Sequence, residues 1–262
     1  MIIDIHAHCF PDGLASRAIA SLSEKAGIPA YTDGTVSFIK GSMAAAGIDL
    51  CVIQHIATKP EQVINVNRWA AGIQDGNLLS FGSIHPDFPD WKEEIKWLAA
   101  SGIKGVKFHS EYQDFNADDT KVYPLYEALL EAGLIILFHA GVDLGYPYPY
   151  HCTPFQLSKV LDSFPGARII AAHMGGYRYW EDVEKYLAGR DVYLDTSFAY
   201  NEMGAEAMEK LIRDHGAEKI LFGSDTPWTD QAKEVSNIKS LNLTGKELDL
   251  ILGGNSARLL SL

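Results

Sequence analysis

Short apolar runs rich in Ile, Val, Leu and Phe recur along the chain, each followed by a longer stretch in which apolar and charged residues alternate with helical spacing. The runs cover residues 2–5, 51–56, 78–84, 103–108, 134–138, 168–172, 192–194 and 219–222, and predict eight strands. Between them the spacing predicts helices over 91–100, 124–132, 153–164, 180–188 and 205–215, several opened by Asp, Thr or Pro and closed by Gly. Nearly all the runs are apolar throughout, the pattern of parallel strands covered on both faces. Eight such units in 262 residues match an α/β chain folded as a (β/α)8 TIM barrel, one domain over residues 1–262. A doubly wound open sheet is the alternative, but no Gly-rich phosphate-binding turn follows the first run.

Barrel topology brings the carboxyl ends of all strands to one face, so polar residues there meet although they are distant in sequence. His6 and His8 end the first run, Lys107 and His109 the fourth, His139 the fifth and His173 the sixth, and Asp225 follows the eighth. Residues two apart on a strand point the same way, as two ligands of one ion must. A lone strand-end histidine is usually a rim residue; five ligand-type residues (His6, His8, His139, His173 and Asp225) at the ends of four strands indicate a catalytic divalent metal, as a rule zinc. Asp4, on the face of His6 and His8 by strict alternation, reads as an orienter of a ligand imidazole. Long segments after the first strand (to about residue 48), the fourth (110–120) and the fifth (145–151, rich in Tyr and Pro) are the loops expected to shape a pocket.

The net charge of −12 is spread without a basic block and gives no case for binding nucleic acid or anionic lipid. Cys9, Cys51 and Cys152 form no C-x-x-C pair, so reduced thiols in a cytoplasmic protein are expected. No apolar stretch is long enough to span a membrane, and no signal peptide is visible. The partner is then a small-molecule substrate, and the loop aromatics suit a pocket or a homodimer interface equally.

The ordered segments D-I-H-A-H, G-V-K-F-H, L-F-H-A-G, A-A-H-M-G-G, Y-L-D-T-S and L-F-G-S-D-T-P-W resemble the amidohydrolase superfamily, in the amidohydrolase-related branch of aminocarboxymuconate-semialdehyde decarboxylase-like enzymes. The resemblance runs through the chain to the closing segment around Asn255 and Arg258. It implies that His6, His8, His139 and Asp225 bind the metal, that Asp225 also shuttles a proton, and that His173 contacts substrate or the metal's water. One metal is favoured over two; zinc is expected, and manganese, iron or cobalt suit the same donors. Lys107 has three readings: a carboxylated bridging ligand, a cation gripping a substrate carboxylate, or a buried lysine paired with an acid. His109, His151 and Arg178 are substrate-binding candidates, and His55, His85, Tyr148 and Trp228 are weaker ones. His215, closing a helix, is assigned no catalysis.

The leading expectation is a hydrolase in which a metal-activated water attacks an amide, ester or lactone. The alternative is a metal-dependent, non-oxidative decarboxylase of a small carboxylic acid; a barrel that binds without catalysis is a third reading, disfavoured by the intact His173 and Asp225.

Overall fold

A computed structural model describes all 262 residues. Eight parallel strands pair in sequence order: β1 (Ile3–Ala7), β2 (Leu50–Gln54), β3 (Leu78–Ser83), β4 (Gly105–Phe108), β5 (Ile135–Phe138), β6 (Ile169–Ala171), β7 (Tyr193–Asp195) and β8 (Ile220–Leu221). The circle is drawn shut by bonds from the β8 end back to β1: Ile5 N–H to Phe222 O (2.9 Å), Asp225 N–H to His6 O and His8 N–H to Thr226 O (both 2.7 Å). The TIM barrel expected from the alternation of elements is therefore present. No helix is long and apolar enough to cross a membrane.

Strand residues divide into two layers. Ile3, Ile5, Val52, Phe81, Ile135, Leu137, Ile170 and Leu221 pack inside the barrel, with Leu259 and Leu260 from the last helix. Their neighbours, among them Cys51, Ile53, Val106, Phe108, Phe138, Leu194 and Phe222, pack against the surrounding helices. Alternation along each strand makes this division. Lys107, between Val106 and Phe108, and Asp195, after Leu194, accordingly face inward at the mouth end.

Strand β1 breaks the alternation. Its register runs Asp4 to Cys51 and then Ala7 to Ile53, so one extra residue is inserted as a bulge. Asp4 consequently faces the helix layer, where its carboxylate accepts from Ser224 N (3.0 Å), Ser224 Oγ (2.6 Å) and Gln231 Nε2 (2.8 Å). Strict alternation had placed Asp4 beside the His6 and His8 rings, and that is corrected: it meets His6 only at the backbone N–H (3.1 Å). Asp4 thus ties the ends of β1 and β8 together. Burial raises its pKa to about 6 against four hydrogen bonds that lower it.

Candidate metal centre and active site

His6, His8 and Asp225 come together at the mouth. His8 Nδ1 lies 2.9 Å from Gln54 O, a carbonyl that can only accept, so Nδ1 carries the proton and Nε2 presents a lone pair. His6 Nδ1 donates to Asp195 Oδ2 (2.9 Å), leaving its Nε2 in the same state. Those two nitrogens lie 3.2 Å and 3.4 Å from Asp225 Oδ1. With both Nε2 atoms unprotonated, these three atoms converge as the donor set of a divalent metal; with His8 Nε2 protonated, the same contact is a hydrogen bond to Asp225.

The neighbouring imidazoles extend the pattern. His173 Nδ1 is 2.9 Å from Ser197 O and its Nε2 is 3.1 Å from His139 Nδ1. With the carbonyl accepting, His173 Nε2 accepts in turn from His139 Nδ1–H, so His139 Nε2 holds a lone pair. That atom is buried and satisfied by no protein group. His139 groups most closely with His109 and Asp143, beside rather than within the His6, His8 and Asp225 set.

Backbone and packing hold these side chains in place. Asp225 and His173 adopt left-handed φ values of 68° and 60°, a cost that recurs where function fixes a side chain. Gly223 must lack a side chain, because a Cβ there would stand 2.9 Å from the Cβ of His6. Asp225 is held down to a pKa of about 2: burial alone would raise it, but the His8 hydrogen bond and the nearby His6 and His173 together outweigh that. Asp195 is likewise held below the ordinary carboxylate range, with burial opposed by His6, His173 and Ser197. His6 is lowered to about 4, first by burial and then by the Lys107 charge.

Lys107 is buried, with Nζ 3.3 Å from His6 Nε2, and burial lowers its pKa to about 8. No carboxylate oxygen lies within 4.0 Å of the ammonium, although the charges of Asp195 and Asp225 act on it and raise its pKa against burial. His109 Nε2 lies 3.0 Å from Asp143 Oδ2, and the ring stacks on His139 with centroids 4.1 Å apart.

The donor side chains and Lys107 line a cavity of about 720 Å³. His55 and Trp228 also line it. His151, Arg178, His85 and Tyr148 do not. His151 instead gives its backbone N–H to Glu111 Oε1 (2.8 Å), and Arg178 is held in a two-pronged pair with Glu202 (2.6 Å for each contact). His215 braces a helix end, accepting from Gly189 N–H and donating to Val192 O. Asp195, Ser197 and Asp143 received no role from the sequence. Asp195 stands at a strand end like the named ligands, and that position was the available signal.

A model of the amidohydrolase family matches residues 3–262. The chain belongs to the amidohydrolase family. No curated protein matches it. Among solved structures, this amidohydrolase resembles a 5-carboxyvanillate decarboxylase from Novosphingobium aromaticivorans complexed with manganese and 4-hydroxy-3-methoxy-5-nitrobenzoic acid (16% identity, TM-score 0.78, covering 100% of this chain and 96% of that one). It also resembles a TIM-barrel protein from Bordetella bronchiseptica (19%, 0.77, 99% and 98%) and a 2,6-dihydroxybenzoate decarboxylase from Rhizobium (14%, 0.73, 99% and 98%). Identities this low speak to the fold the amidohydrolase shares with them.

Proposed function

We propose that this amidohydrolase is a metal-dependent, non-oxidative decarboxylase of a hydroxylated aromatic acid. The observation that carries the reading is Lys107: a buried ammonium beside the His6, His8 and Asp225 donors, and the only Lys or Arg lining the cavity. A decarboxylase must hold the carboxylate it removes, and a buried ammonium beside the metal donors can do so; a hydrolase needs one there only when its substrate carries a carboxylate. Decarboxylases among the structural relatives support the same choice. The hydrolase expected first would use nearly the same residues, so the preference rests on Lys107 and on those relatives.

His6, His8 and Asp225 would hold the ion, with His139 Nε2 as a further buried donor lacking a protein partner. Bound there, a divalent metal would act as a Lewis acid toward the substrate carboxylate and the oxygen next to it. Lys107 pairs with the carboxylate. Asp225, ionised at neutral pH, takes the proton of the substrate hydroxyl and passes it to the ring carbon bearing the carboxylate. The bond from that carbon to the carboxylate then breaks, carbon dioxide leaves, and the bonding pair returns to the ring. The product is a phenolate, which water reprotonates. His173, held through Nδ1 by Ser197, fixes His139 in the tautomer that keeps its Nε2 free.

The test is a panel of carboxyl-labelled hydroxybenzoates, run with manganese- or zinc-loaded protein beside a panel of lactones, esters and amides. Labelled carbon dioxide from the first panel is the expected result. Acid release from the second panel with no carbon dioxide from the first would return the hydrolase reading.

A further inference from the structure

The segment after β1 folds into a 15-residue helix, Asp12–Ala26, of which only Ala15 is buried. Such a helix packs little of itself on the barrel. Its apolar residues Leu14, Ala18, Leu22 and Ala26 follow at intervals of four, a stripe along one side. Leu14, Leu22 and Ala26, with Phe10, Ile28 and Trp69, line the same cavity that contains the metal donors. Leu14 is 46% exposed, although it belongs to this lining. Near its other end the helix is fastened to the pocket loop by Lys25, whose Nζ sits 3.5 Å from the centroid of Tyr146 and 4.7 Å from that of Tyr112.

The cavity lining is mixed: the His and Asp cluster and Lys107 come from the strand ends, helix Asp12–Ala26 and its neighbours add aliphatic and aromatic side chains, and Thr58, Glu61, Gln62 and Asn65 are among the polar remainder. A volume of about 720 Å³ is of the size that encloses drug-sized ligands, roughly 300–1,000 Å³, and a single-ring acid of about ten heavy atoms would fill only part of it. Lys107 is the cavity's only Lys or Arg, so a second carboxylate in it would find no such partner.

We infer that the substrate is an aromatic hydroxy acid with a long, uncharged apolar substituent, whose tail lies under helix Asp12–Ala26 against Leu14, Leu22 and Ile28. This rests on the decarboxylase reading for the head group; the tail site stands on the cavity itself. A tail there covers an apolar helix face that the protein leaves without a partner, and each added methylene removes further apolar surface from water.

The experiment uses 2-hydroxybenzoates bearing alkyl chains from methyl to heptyl, with the manganese-loaded enzyme. Both carbon dioxide release and binding by calorimetry are measured. Affinity and kcat/KM should rise about two- to fourfold per methylene until the tail site is filled. Leu14→Gln and Leu22→Gln, on a helix that buries only Ala15, should each flatten that rise, while Arg17→Ala, outside the cavity lining, should leave it intact. Chain-length-dependent binding without carbon dioxide would leave the tail site standing and remove the decarboxylase. Carbon dioxide release with no dependence on chain length would do the reverse. A rise that persists in both leucine variants would also overturn the tail site.

Discussion

At His6, His8 and Asp225 each imidazole is pinned from behind through Nδ1, by Asp195 and by the Gln54 carbonyl, and each Nε2 is turned toward the same carboxylate oxygen. At His109, His139 and Asp143 the pinning is different. His109 turns Nε2 toward Asp143 (3.0 Å) and leaves Nδ1 buried without a partner, with Glu111 Oε2 3.7 Å away and equally unpartnered. His139 is fixed by His173, and its Nε2 is free. Orphaned buried polar atoms cost about 1–3 kcal/mol each, so three in one cluster are a standing strain. The first cluster has the donor arrangement that could hold an ion; beside it the second places one further free donor, His139 Nε2, and turns its carboxylate, Asp143, to the cavity. Similar residue types thus serve different ends, and what separates them is which ring nitrogen the supporting groups occupy.

The contrast can be broken in order of size. Asp225→Asn removes both an ion donor and the proton carrier, and should cut kcat by roughly 10²–10⁴-fold and deplete the metal. Steady-state rates and elemental analysis check this. Asp195→Asn loosens the His6 ring from behind and should weaken metal binding about 10–100-fold, read by competition with a chelator of known affinity. Asp143→Asn should leave the metal content unchanged; loss of the ion there would mean that the two clusters are one site. Lys107→Met should raise KM for the carboxylate substrate without lowering metal content, a split that a merely structural lysine would not give.

The smallest effect concerns the scaffold behind the first cluster. Glu234, buried on the helix Gln231–Lys239, has a pKa raised from 4.5 to about 7, chiefly by burial and further by Asp4 and Asp225. Its folded pKa exceeds the unfolded value, so its contribution to stability is complete below pH 4.5 and is lost as pH rises toward 7. Glu234→Gln should raise stability at pH 8 by on the order of 1–2 kcal/mol and leave it unchanged near pH 4. Thermal melts across pH check this.

The barrel was legible because buried parallel strands are apolar throughout and recur with their helices, and strand-end positions then named His6, His8 and Asp225. The limits were local. One inserted residue in β1 reversed the face of Asp4, and no apolar pattern announces a single-residue bulge. Arg178 looked available in its loop because Glu202, which holds it, lies 24 residues further on in another segment. Asp195 was read only within a motif, since its role depends on meeting the His6 ring across the barrel. Helix Asp12–Ala26 lies within the long excursion after β1, where the apolar positions 14, 18, 22 and 26 carry its sequence signal.

The most direct test of the central claim is the metal content of protein purified without chelator, measured for the wild type, His6→Ala and Asp143→Asn. One divalent ion per chain in the wild type and in Asp143→Asn, with none in His6→Ala, is the predicted result. Two ions per chain, or an ion retained in His6→Ala, would contradict the assignment of the metal to His6, His8 and Asp225.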